Sequence, residues 1–218
     1  MDIVLSLKDA EWIATQYPGL KIDMTNKCIV GDIYLNRTYN GTTLTNIFSI
    51  KVMLELLPNM VLPKVYETSN KLQNIANELG LSKIEDIHVN SDESLCLAIY
   101  GREEECFSDK FTIKEFFENC LEPYFFWVSY YEKFGKPPWK DYAHGGLGFV
   151  EMYAEDRLTF REVQQKMSLR EISKYLYHYD YVKDKCLCGK NKDMKQCHSD
   201  IYIGLKKFKE KWKLARVS

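Results

Sequence analysis

The sequence predicts an α+β fold: an antiparallel meander sheet with flanking helices in the first half, then a helical C-terminal region with a small cysteine-rich module. Three observations predict it. Phe48, Ile50, Val52, Leu54 and Leu56 alternate with Ser49, Lys51, Met53 and Glu55, the period of two of a strand with one buried face. Capping boxes at Thr112–Glu115, Thr159–Glu162 and Ser168–Glu171 open helical patterns later in the chain. The stretch "CLCGKNKDMKQCH" gathers three thiols and an imidazole near the C-terminal end.

In chain order, Lys8–Tyr17 reads as a short helix stopped by Pro18-Gly19. Cys28–Leu35 and Asn46–Leu57 read as strands joined through "NRTYNGTT", where Asn40-Gly41 is a hairpin turn signal. Pro58 and Pro63 bracket an irregular loop before a short strand, Lys64–Thr68. The stretch "HVNSDESLCL" is expected to be extended. His88, Asn90, Asp92, Ser94 and Cys96 then share one face, with Leu95 and Leu97 on the other. The Thr112 box opens an aromatic helix that runs toward Gly135 with a break at Pro123. "GKPPWKDYAHGGLGF" reads as a loop rich in Gly and Pro, two short amphipathic helices follow, and a basic helix over Asp200–Leu214 closes the chain. The expected division is 1–135 for the sheet domain, 136–180 for a loop and helical extension, and 181–218 for the cysteine module with the basic helix.

The 218 residues are 45% hydrophobic and 28% charged, ordinary for a globular protein. A formal net charge of −1 offers no global argument for nucleic acid or an anionic membrane, and neither is expected as a partner. No apolar run is long enough to span a bilayer. Asp2, Asp9 and Glu11 near the start, without a basic segment, argue against a secretory signal. Seven cysteines, four scattered and three clustered, suit a reducing compartment better than a disulfide framework, so a cytoplasmic protein is expected.

Cys96 is the leading candidate nucleophile, because a thiol on the polar side of a strand end is accessible for thioester chemistry. Asn90 supplies an amide suited to an oxyanion. Asp92 (or Glu93) can orient or deprotonate an incoming amine, and His88 is assigned to holding the loop through a backbone hydrogen bond. Cys28, Cys106 and Cys120 are assigned to packing, and the acids Glu103-Glu104-Glu105 would raise the thiol pKa of Cys106. His144, in "AHGGLG", reads as a loop-stabilising histidine or as a second contributor to the active site.

The order helix, hairpin meander, proline-bracketed flap, His-x-Asn, cysteine and helix resembles the ubiquitin-conjugating enzyme family over roughly Lys8–Phe134. "PNMVLPKVYE" is similar to its flap, "HVNSDESLCL" to its H-P-N followed by G-x-x-C-L, and "FSDKFTI" to its W-S-P-x-x-T-I. Val89 replaces the proline, Phe107 the tryptophan and Asp109 a second proline, and the spacer from Asn90 to Cys96 is short. These departures, with "YAHGGLGFVEMY", resemble divergent bacterial members found in anti-phage operons beside a cyclic-oligonucleotide synthase. The resemblance implies a Cys96 thioester with a partner protein's flexible C-terminal tail, the nucleotidyltransferase being one such donor, and transfer to a lysine-bearing acceptor. The alternatives are an inactive scaffold of the same fold and a zinc-dependent nucleic-acid adaptor using the basic helix.

Cys186, Cys188, Cys197 and His198, spaced C-x-C-x8-C-H, match a closed structural zinc site in ligand type and number, with Gly189 turning the chain after the first pair. The stretch resembles the SEC-C motif. Lys190, Lys192, Lys195, Lys206, Lys207, Lys209, Lys211 and Lys213 make this end basic, either as a docking face or as a solvated one.

Overall fold

The computed structural model describes the chain except residues 1, 59, 100–101, 179, 181–182, 189–190 and 216–218. The fold is α+β and divides into two compact units, Met1–Trp139 and Lys140–Ser218. The first boundary, expected at 135, lies at Trp139, whose ring stacks on Phe126 at 6.1 Å. The two C-terminal segments expected to be separate form one unit, because helices from both pack on each other.

Unit 1 begins with α1 (Leu7–Gln16), capped by a reciprocal Ser6–Asp9 box. A four-stranded antiparallel sheet follows in the order β1 (Leu20–Asp23), β2 (Cys28–Tyr39), β3 (Thr42–Met53), β4 (Val65–Glu67). The Asn40-Gly41 turn joins β2 and β3 as expected, with Tyr39 opposite Thr42. The buried face is the one the alternation marks: Phe48, Ile50 and Val52 are fully buried and Leu54 nearly so. The strand itself stops at Met53, although Leu54 N–H still donates to Lys27 O and Glu55 bridges to Asp2 beyond it. β1 was not expected; its four residues carry little pattern of their own and are ordered by pairing with β2. Nor was α2 (Lys71–Glu78), although Leu72, Ile75 and Ala76 are spaced for a helix face and are all buried.

The aromatic helix on the sheet's inner face is continuous in path. α3 (Ile113–Phe116) runs through a π turn, Phe117–Leu121, into α4 (Glu122–Phe134). Pro123 does not break it. The proline sits at the start of α4, just after the widened turn, where its missing donor costs least. Phe125 stacks on Phe48 at 4.3 Å, and both are fully buried. Rings of this size dominate core burial energy, at about 25 cal/mol per Å² removed from water. Gly135 caps the helix in the left-handed region, as expected. The Thr112 box is only half formed: Thr112 Oγ1 accepts from Glu115 N–H, while Glu115 reaches Ser108 N–H instead of the cap backbone.

Unit 2 contains α5 (Gly146–Ala154), α6 (Phe160–Lys166), α7 (Leu169–Ser173), a π turn (Lys174–His178), α8 (Met194–Cys197) and α9 (Ser199–Ala215). The Thr159 and Ser168 boxes cap α6 and α7 reciprocally. α5 corrects the loop reading of "AHGGLGF" only at its end, where Gly146–Phe149 are helical while Ala143–Gly145 remain in the loop. Its glycines serve close approach: a side chain on Gly148 would meet Ala143 O, and one on Gly204 of α9 would meet Val150 O. Glu151 is buried and accepts from Ala143 N–H at 2.8 Å. Lys140 Nζ completes this corner by reaching Glu151, Glu155 and Asp200. Among the described residues, no helix is long and apolar enough to cross a membrane.

Candidate functional site

The His88–Cys96 stretch is not extended. It doubles back as a tight loop, a correction to the shared-face reading. His88 lies in the left-handed region after a 3-10 turn, Ile84–Ile87, and Glu93 is left-handed too. Val89 bridges to Leu95, Asn90 N–H donates to Ser94 O at 2.8 Å, and Glu93 N–H to Asn90 O at 2.9 Å. Leu95 N–H donates to Val65 O and Ser94 bridges to Tyr66, so the returning arm extends the edge of β4. The short spacer is the cause: six steps from Asn90 to Cys96 close one hairpin turn, and the local pairing outcompetes a straight strand.

Cys96 closes this loop. Its N–H donates to His88 O at 2.8 Å. The thiol is half-buried and lies 3.7 Å from Ala98 O. Leu95 is buried as expected, whereas Leu97 is only half-buried. The His88 ring meets Trp127 of α4 edge-on at 4.7 Å, and buried Tyr124 of α4 donates to Ile87 O at 3.0 Å. Burial pushes the Tyr124 hydroxyl well above its ordinary pKa.

The polar side chains are organised around Ser94, which sequence reasoning assigned no role. Ser94 is 4% exposed. Its Oγ accepts from Asn90 Nδ2 at 3.1 Å and donates to Asp92 Oδ1 at 2.6 Å. Asp92 also pairs with Lys64 at the end of the flap. The Lys64 ammonium, then Ser94, hold the Asp92 carboxyl down to about 2. Such a carboxylate is a weak proton acceptor at neutral pH. It can orient an ammonium by charge, and it anchors the flap to the loop. Asn90 itself is exposed, and only one of its amide's two N–H donors is taken by Ser94.

Cys28 and Cys120 are buried, in keeping with packing. Cys106 is half-buried and packs against the core as expected, and it is its thiol pKa that differs from expectation. A hydrogen bond with Cys120 holds its thiol below the ordinary range, outweighing burial and the charges of Glu103 and Glu105 that push it up. Cys120 is pushed far up in turn. His144 is exposed in the loop before α5.

In unit 2 the four expected metal ligands converge. Cys186 Sγ lies 3.0 Å from His198 Nδ1, Cys188 Sγ lies 3.5 Å from Cys197 Sγ, and all four ligand atoms lie within 4.8 Å of one another. A tetrahedral zinc with Zn–S of about 2.3 Å sets its sulfurs about 3.8 Å apart and a sulfur and a histidine nitrogen about 3.5 Å apart. The cluster fits that cage. Local folding explains it: Lys185 bridges to Asp193, Cys186 N–H donates to Lys192 O, and α8 delivers Cys197 and His198 to the start of α9. Burial, then the neighbouring thiols, push the Cys186 thiol up to about 12, a preference that a bound divalent cation reverses. Gly189 and Lys190 lie outside the described residues. A second group, Glu151, Glu155 and Asp200, also converges, but Lys140 supplies its positive charge.

The chain matches no protein-family model, no curated protein and no solved structure.

Proposed function

We propose that the protein is a cysteine-dependent transferase of the ubiquitin-conjugating kind. Cys96 sulfur attacks the activated C-terminal carbonyl of a partner protein. The C–S bond forms as the bond to the activating group breaks, and the partner is held as a thioester. An amine, from a lysine on the acceptor, then attacks that carbonyl. The oxyanion that forms is met by an N–H of Asn90, the C–S bond breaks, sulfur leaves as thiolate, and the amine's proton passes to solvent. Asp92 attracts the incoming ammonium by charge, the ammonium gives a proton to solvent before it attacks as the amine, and His88 holds the backbone at Cys96. The partner class is a protein with a flexible tail, such as a cyclic-oligonucleotide synthase in a bacterial antiviral operon. Zinc held by Cys186, Cys188, Cys197 and His198 would supply folding energy to unit 2, and with four protein ligands it would have no open position for catalysis.

The observation that carries the reading is a half-buried thiol ending a hydrogen-bonded loop that also carries Asn90, Asp92 and Ser94. The test is intact-mass analysis of the protein co-expressed with its genomic neighbours. An adduct that thiols release, lost in Cys96→Ala, kept in Cys106→Ala and turned thiol-resistant in Cys96→Ser, is the expected result. A second reading, an inactive scaffold, is favoured by one observation: Ser94 and Lys64 already engage Asn90 and Asp92. Absence of any adduct on wild type selects it.

A further inference from the structure

Two thiols outside the proposed active site meet within unit 1. Cys106 ends a 3-10 turn, Glu103–Cys106, and Cys120 lies in the π turn Phe117–Leu121 between α3 and α4. Their side chains hydrogen-bond to one another. Two further bonds clamp the surrounding segments. Asn119 Nδ2 donates to Cys106 O at 2.7 Å, and Ser108 N–H donates to Glu115 Oε1 at 3.0 Å. The thiols therefore face each other across a contact that is held on both sides.

Their environments differ. Cys106 is half-buried, so a small solute can reach it from solvent, whereas Cys120 is 1% exposed. The hydrogen bond from Cys120 holds the Cys106 thiol below its ordinary range, against the pull of burial and of Glu103 and Glu105, and it pushes Cys120 far up. The thiolate is the nucleophilic form of cysteine. Packing accounts for Cys120, but a packed cysteine needs no second sulfur opposite it. An accessible thiol beside a second, sheltered one is the arrangement in which the first is oxidised and the second resolves it.

We propose that Cys106 and Cys120 form a peroxide-responsive dithiol site, closed as a reversible disulfide between the 3-10 turn and the helix. The Cys106 thiolate attacks one oxygen of a hydroperoxide. The S–O bond forms, the O–O bond breaks, and the leaving oxygen takes the proton that Cys106 gave up, as water when the oxidant is hydrogen peroxide. Oxidation removes the Cys106 charge that helps to push Cys120 up. Cys120 sulfur then attacks the sulfenic sulfur of Cys106. The S–S bond forms, the S–O bond breaks, and the hydroxide leaves with the Cys120 proton as a second water. Two thiols lose two electrons, and one peroxide gains them. The site stands whether or not Cys96 forms a thioester.

The experiment treats the full-length protein as purified with hydrogen peroxide, blocks the remaining thiols with iodoacetamide, and maps tryptic peptides without reduction. Trypsin cuts after Lys83, Arg102, Lys110, Lys114 and Lys133, so the bridge joins peptide 103–110 to peptide 115–133, while Cys96 lies in peptide 84–102. The linked pair should weigh about 2 Da less than the two peptides summed, and dithiothreitol should release it. Cys96→Ser should form the same bridge. Cys120→Ala should leave Cys106 as a sulfenic acid that dimedone captures, and Cys106→Ala should give no dimedone adduct on Cys120. Absence of the linked pair from wild type, at a peroxide dose that oxidises free cysteine in parallel, would overturn the site. So would a bridge from Cys106 to Cys96 in its place. Dimedone capture of Cys120 in Cys106→Ala would overturn the assignment of Cys106 as the thiol that meets the oxidant. The wild-type map decides the pairing even if Cys120→Ala fails to fold.

Discussion

Asn90→Ala and Ser94→Ala together test whether the folded loop serves catalysis. Asn90 carries two amide donors, and Ser94 Oγ takes one at 3.1 Å, which fixes the plane in which the other points. Removing the amide removes the oxyanion donor; one such donor in an acyl-transfer site is worth roughly 100- to 1000-fold, about 3–4 kcal/mol. Removing the Ser94 hydroxyl leaves the donor but frees its orientation. One hydrogen bond is worth about 1 kcal/mol, so the expected slowing is roughly fivefold. Ser94→Ala should also destabilise unit 1 by about 1–3 kcal/mol, because a nearly buried serine loses its bond to Asp92 as well. Asn90 is exposed, so its loss should cost stability little. The assay is single-turnover discharge of a preformed Cys96 thioester to free lysine, with denaturant melts in parallel. The order of rates should be wild type, then Ser94→Ala, then Asn90→Ala, and the order of stabilities should put Ser94→Ala last. Discharge of Asn90→Ala at the wild-type rate refutes the oxyanion role and leaves the Asn90–Ser94 bond as a purely structural feature of the loop.

Other outcomes follow from the same geometry. Purified protein should carry zinc at one ion per chain; Cys188→Ser should lose it, and chelation should lower the melting temperature of unit 2 while the sheet domain stays folded in circular dichroism. Gly204→Ala should destabilise unit 2 by about 1–3 kcal/mol, read by thermal melts, because the added carbon meets the Val150 carbonyl oxygen, a backbone atom that cannot swing aside. The folded-state pKa of Asp92 is depressed to about 2, so its contribution to stability is present above the ordinary carboxylate range and is lost as pH falls from about 4 through 2. Asp92→Asn should therefore melt below wild type at pH 6 and converge with it near pH 2. The same depression makes the effect of Asp92→Ala on thioester discharge flat between pH 6 and 9, since the carboxylate stays ionised throughout that range.

Much of this architecture was written locally. Alternation in β3, the Asn40-Gly41 turn and the Ser and Thr caps each act over a few residues, so strand, hairpin and helix starts could be read without knowing what lies opposite them. The metal ligands were legible for the same reason: four soft donors within thirteen residues need only one turn and one short helix to meet. Tertiary structure decided what depends on distant partners. β1 forms because β2 offers it a ladder, and α5 tolerates its glycines because Gly148 and Gly204 let backbone approach backbone. The candidate active loop was misread for a related reason. A period of two describes which side chains share a face only while the chain stays extended, and here Val65 and Tyr66 capture the returning arm while Asn90 and Ser94 close the turn. Ser94 looked like a spacer residue; burial against the edge of β4 made it the group on which Asn90 and Asp92 converge. The charge of Asp92 was visible in the sequence, but its low pKa was not, because that follows from Lys64, nearly thirty residues away along the chain, arriving at the end of the flap.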